Sequence, residues 1–124
     1  MILQKKLIIL GALLGGVSVA FGAFGAHALK PILAAHGRTD TFELAVRYQF
    51  YHTLALLVMA ALADKLNKNQ AGWSAFFFTS GVIVFSGSLY ILALSGQTIW
   101  GAVTPIGGVL LITGWLFLML SAKK

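Results

Sequence analysis

Four long apolar runs, divided by short polar turns, constrain this 124-residue chain more than any motif it carries. A helix that crosses about 30 Å of hydrocarbon needs about 20 apolar residues at about 1.5 Å each. The runs fall at about residues 7–29, 44–63, 73–95 and 102–122, and Asn67-Lys68-Asn69-Gln70 is typical of the polar connections. Only 10% of the residues are charged. A soluble domain of this size needs a larger polar surface than such a chain can provide. The reading is one all-α membrane domain, residues 1–124, with four transmembrane helices in up-down order.

The first run also has the outline of a secretory signal, with Lys5 and Lys6 in front and Ala26-His27-Ala28 resembling a cleavage site. Its apolar core exceeds the usual signal core of about 7–15 residues, so it is read as a span. Charge then orients the chain. Lys5, Lys6, Lys65, Lys68, Lys123 and Lys124 fall on one side, whereas Lys30, Arg38 and Arg47 fall on the other. The excess predicts both termini in the cytoplasm, in a bacterial inner membrane. The bilayer is the expected partner, through orientation and attraction to anionic lipid. The basic residues form no aromatic-interleaved face, which argues against nucleic acid. Without cysteine, disulfides, thiolate catalysis and Cys-based metal sites are excluded.

Lipid tails are as apolar as leucine, so close backbone approach between small residues must drive helix packing. The first span offers Gly11, Gly15, Ser18, Gly22 and Gly25; the third Gly81, Ser88 and Ser95; the fourth Gly107, Gly114 and Ser121. The seven-residue repeat of Gly15 and Gly22, Gly81 and Ser88, and Gly107 and Gly114 predicts left-handed packing. The same Gly/Ser seams would equally serve a homo-oligomer or another membrane protein. Thr104-Pro105 reads as a helix start. Trp73 and Trp100 read as interfacial anchors, and Trp115 as packing or lipid contact.

The segment Gly22–His52 departs from this background. It holds all three histidines, both arginines, and two each of the three acids and three tyrosines. Pro31–Gly37 reads as a short interfacial helix with His36 toward water. Asp40-Thr-Phe-Glu43 has capping-box spacing, which starts the next helix near Thr41. Glu43, Arg47 and Tyr51 share one stripe: either an interfacial ion pair with a tyrosine anchor, or the wall of a pocket for an anionic headgroup. Tyr48 and His52 form a second stripe, turned about 100–140° away. His27 and His52 are expected at similar depth. They are read as structural hydrogen-bonding groups, a metal or haem pair, or ligand- or proton-handling residues. Two histidines are too few for a closed zinc site, and Gly-lined seams leave little room for haem, so no metal or cofactor is assigned. Phosphate-loop, His-Glu-x-x-His and Gly-x-Ser-x-Gly motifs are absent, and no catalytic residue is assigned. No acid lies inside a predicted span, which weakens an ion-coupled transporter reading. Ser86, Ser88 and Tyr90 are candidates to complete a polar pocket.

Four segments carry a resemblance: Gly22-Ala-Phe-Gly-Ala-His27-Ala-Leu, Phe42 through Ala55, Gly87-Ser-Leu-Tyr90 and Thr104-Pro-Ile-Gly-Gly108. In this order, over essentially the whole chain, the sequence resembles the YgdD/YwdK-like family, domain of unknown function 423 or uncharacterised protein family 0382. The resemblance implies a small multi-pass bacterial membrane protein with no established activity, cofactor or catalytic residues. Two functions follow as expectations. One is a non-enzymatic protein that supports envelope integrity or partners another membrane protein through an outward polar lip of His27, Arg47, Tyr48, Gln49, Tyr51 and His52. The alternative is a small-ligand or lipid-headgroup binding protein, or minor transporter, with a pocket at His27, Arg47 and His52.

Overall fold

Apolar residues without a strand-like alternation, and prolines confined to helix starts, let nearly the whole chain wind into helix. A computed structural model describes residues 2–123. Five α-helices follow in order: α1 (Ile2–Ala26), α2 (Lys30–Ala35), α3 (Thr39–Ala61), α4 (Lys68–Ser95) and α5 (Thr104–Leu120). Single 3-10 turns at Ala63–Lys65 and Thr98–Ala102 lead into α4 and α5.

Three helices are long and apolar enough to cross a membrane: Ile2–Ala26, Lys68–Ser95, and Thr98–Leu120 counted with its leading 3-10 turn. The predicted second span, residues 44–63, is not among them. It lies in α3, which is 23 residues long. Arg47, Tyr48, Gln49, Tyr51, His52 and Thr53 dilute its apolar content, and the helix ends at Ala61 rather than continuing to residue 63. The other helices also depart from the apolar runs. α1 begins at Ile2 and stops at Ala26, which leaves His27 in the turn beyond it. α4 begins well before Trp73 because the Asn67 side chain accepts from Asn69 N–H at 3.1 Å and Gln70 N–H at 3.2 Å.

The helices stack serially. α1 packs on α3, α3 on α4 and α4 on α5, with light contact between α1 and α4 and no substantial one between α1 and α5 among the described residues. The main core joins Leu7 of α1, Leu56 and Met59 of α3, Phe78 and Val82 of α4, and Leu111 of α5. All four long helices also turn apolar side chains outward: Leu13 and Val19, Leu54 and Val58, Phe76 and Ile83, Ile112 and Met119. Such wide apolar exposure fits a protein whose surroundings are lipid.

The small residues sit where the helices touch. A Cβ on Gly11 would lie 2.7 Å from Leu57 Cδ2, and one on Gly15 3.0 Å from Thr53 Cγ2. A Cβ on Gly22 would make ordinary contact with Val46 at 3.6 Å. On the other side of the stack, one on Gly81 would meet the Leu111 backbone nitrogen at 2.9 Å. Gly107 lies against the backbone of Phe85, and a Cβ on Gly114 would reach Phe78 at 2.5 Å. The Ser88 and Thr104 hydroxyls are 2.6 Å apart.

α2 is a lid rather than a freely solvated helix. Leu33 is fully buried against Phe42 and Ala93. His36 is exposed, as predicted, and its Nδ1 also bonds the Ala93 carbonyl of α4 at 3.0 Å. Gly37 adopts φ +64°, a conformation costly for other residues, and turns the chain directly into α3. That tight turn corrects the predicted capping box. α3 starts at Thr39 with Arg38 at its cap position and no side-chain cap, so Asp40 sits inside the first turn. At the opposite end, Asn67 N–H donates to the Ser121 carbonyl at 2.7 Å and Lys123 N–H to the Lys65 carbonyl at 3.1 Å. The carboxyl-terminal residues are thereby clasped to the turn between α3 and α4.

Candidate functional site

The polarity that dilutes α3 is spent on its neighbours. Gln49 is 3% exposed. Its Nε2 donates to the Leu14 carbonyl of α1 at 2.9 Å, and its Oε1 accepts from the Tyr90 hydroxyl of α4 at 2.6 Å. One amide therefore links three helices. In a low-dielectric interior an unpaired amide is costly, so the bridge fixes the register of α1 and α4 on α3.

His52 performs the same service toward α5. It is buried, with its ring against Phe78 and Trp115. Nδ1 lies 2.7 Å from the Tyr48 carbonyl, and Trp115 Nε1–H donates to Nε2 at 3.0 Å. A carbonyl only accepts and an indole N–H only donates. The ring is therefore neutral with its hydrogen on Nδ1, and neither nitrogen is left for a ligand. Tyr48 stacks on Phe85 of α4 at 4.8 Å. Ser86 donates to the Ala45 carbonyl of α3 at 2.7 Å, and Ser74 to the Gly114 carbonyl of α5 at 2.7 Å.

The remaining polar residues lie apart from this interior set. His27 is exposed, with Nδ1 2.9 Å from the Ala23 carbonyl of the preceding turn. Arg47 and Tyr51 are exposed beside a groove that α3 shares with Ser18 and Val19 of α1. Helical geometry turns Arg47 about 140° from His52. His27 and His52 have no bonding partner in common among the described residues, and the grooves that Arg47 borders are lined by neither. Arg47 instead borders two adjoining surface grooves of about 290 and 310 Å³, one beside Gly22, Gly25 and Glu43 and the other beside Ser18, Phe50 and Tyr51. Among the described residues, no three His, Asp or Glu side chains come together as a metal set.

Ser86 and Tyr90 reach α3 rather than a pocket with His27, and Trp115 is the partner of His52. Sequence reasoning missed both pairings. The available signal was that an indole N–H or phenol O–H inside an apolar span needs a hydrogen-bond partner, but no periodicity names the partner.

An all-helical chain with three membrane-length apolar helices and an outward apolar surface is a multi-pass membrane protein. The model of the family described as "Protein of unknown function (DUF423)" matches residues 21–108, and the chain belongs to that family. It is 49% identical over 123 residues to a UPF0382 membrane protein of Staphylococcus haemolyticus, covering 98% of each chain. It is 42% identical to the UPF0382 membrane protein YwdK of Bacillus subtilis, again over 98% of each. With the UPF0382 inner membrane protein YgdD of Escherichia coli K12 the identity is 39%, over 98% of this chain and 92% of YgdD. No solved structure matches.

Proposed function

We propose that the chain is a non-enzymatic protein of the bacterial cytoplasmic membrane. It crosses four times, with α3 as the second crossing and both chain ends cytoplasmic, as a left-handed up-down bundle with α2 lying at the outer interface. Its role is to support the envelope or to partner another membrane protein, or a second copy of itself, through exposed groups at the outer end.

The observation that carries this reading is the disposition of polarity on α3. Gln49 and His52 are consumed by contacts with α1, α4 and α5, while His27, Arg47 and Tyr51 remain exposed. Interior polarity of this kind serves assembly, and exterior polarity serves an encounter. The serial stack and the carboxyl-terminal clasp support four antiparallel legs. The exposed Phe50, Leu54 and Val58 suit α3 to lipid despite its polar half. The lysines Lys5, Lys6, Lys65, Lys68 and Lys123 favour the cytoplasm for their end.

The test combines alanine at His27, Arg47 and Tyr51 with a sensitive envelope phenotype and copurification of membrane partners. Loss of either readout, with normal membrane levels, supports the outer rim. Variants that all behave as wild type remove it. The ligand or transporter alternative keeps only the groove at Arg47, because His27 and His52 do not join it.

A further inference from the structure

We infer that the groove between the outer halves of α1 and α3 is a binding site for one zwitterionic aminophospholipid, held by Arg47 and Glu43. This deepens the proposed function and rests on its assignment of α2 and the start of α3 to the outer interface.

The groove is built by absence and presence together. Gly22 removes a side chain from the α1 wall, Gly25 lets the Phe42 ring of α3 close against that wall, and Leu33 of the lid borders the same groove. The second groove continues past Val46 and Arg47, which border both, to Ser18, Val19 and Phe50. The two grooves adjoin at these residues and together make a slot that is charged near the lid and apolar beyond Arg47. An amphiphile with one polar end has that same division.

The order of the charges selects the headgroup. Glu43 and Arg47 both border the slot, both are exposed, and stand four residues apart on one helix face. Glu43 therefore lies about 6 Å nearer the outer end of α3 than Arg47. In an aminophospholipid the phosphate sits next to the glycerol and the acyl chains, and the primary ammonium is at the tip. With the chains in the apolar part of the slot, the phosphate meets the guanidinium, which offers paired N–H donors to phosphate oxygens. The ammonium then meets the Glu43 carboxylate. A purely anionic glycerol headgroup would satisfy Arg47 but place hydroxyls, not a cation, at Glu43. Lys30, Arg38 and Asp40 lie toward the turns and do not border the slot.

The test reconstitutes the full chain in vesicles of equal phosphatidylethanolamine and phosphatidylglycerol, followed by mild extraction and quantification of retained lipid by native mass spectrometry. The wild type is expected to retain the ethanolamine lipid over the glycerol lipid by about fivefold or more. Arg47→Gln is expected to reduce retained ethanolamine lipid by a similar factor, and Glu43→Gln to bring the ratio close to unity. Gly22→Leu, which fills the slot while leaving both charges in place, is expected to reduce retention of both lipids. Equal retention, or preference for the glycerol lipid, by the wild type overturns the proposal, as does an unchanged Arg47→Gln or Gly22→Leu. Arg47→Gln and Glu43→Gln change exposed side chains and keep the test interpretable if Gly22→Leu fails to fold. Labelling a Thr39→Cys variant in intact cells with an impermeant maleimide reads the orientation separately. Lipid selection can then fail with the topology intact, and the topology can fail without deciding lipid selection.

Discussion

Gln49 and His52 exemplify how a membrane helix carries polar residues without exposing them. Each finds partners on other helices, and each bond is worth about 0.6 kcal/mol on average and at most about 1.7 in membrane proteins. The double-mutant cycle of Gln49→Leu with Tyr90→Phe is therefore expected to give a coupling of about that size, read from thermal unfolding in detergent. A coupling near zero would detach Gln49 from α4. His52→Leu with Trp115→Phe tests the other bridge, and Trp115→Phe alone should destabilise because it leaves His52 Nε2 buried without a donor. At this scale the sequence named the right residues but gave no address for them. It marked Gln49 and His52 as polar where polarity is costly. It could not say that Leu14, Tyr90 and Trp115 answer them, because those contacts depend on the rotation of four helices at once.

Helix α3 shows the limits of composition at the scale of the element. Its polar half keeps it below the apolarity of α1, α4 and α5, although its outward strip of Leu54 and Val58 matches theirs. Average apolarity counts inward and outward residues alike, whereas lipid meets only the outward ones. The existence and order of the long helices could be read from the apolar runs. Their ends could not, since Asn67 extends α4 through a cap and Gly37 starts α3 before Asp40. The glycine seams make a sharp prediction. Gly107→Ala must push apart α4 and α5 at the Phe85 backbone, for a cost of about 1–3 kcal/mol. Gly72 and Gly87 have nothing within 4 Å of an added Cβ, so alanine there is expected to be neutral or to stabilise by up to about 1 kcal/mol. Unfolding midpoints of the three variants, measured in one detergent, check the contrast.

The whole molecule is a stack clasped at one end and lidded at the other. With no native cysteine, single cysteines report topology cleanly. Gln97→Cys is expected to react with an impermeant maleimide in intact cells, and Asp64→Cys only after the membrane is opened. The reverse pattern would invert the protein. Charge counting proposes that orientation, and apolar runs pointed to four legs where three helices are long and apolar enough to cross. Neither revealed that the legs are joined mainly to their neighbours in the sequence, since that depends on which face of each helix is small. The serial stack bears on biogenesis. Each long helix docks mainly on the one synthesised just before it, so assembly can keep pace with synthesis and needs no late closure between the first helix and the last. Such local wiring favours fast folding. It also means that a chain interrupted after α4 already holds its α1–α3 and α3–α4 contacts, with α5 added last against a finished surface.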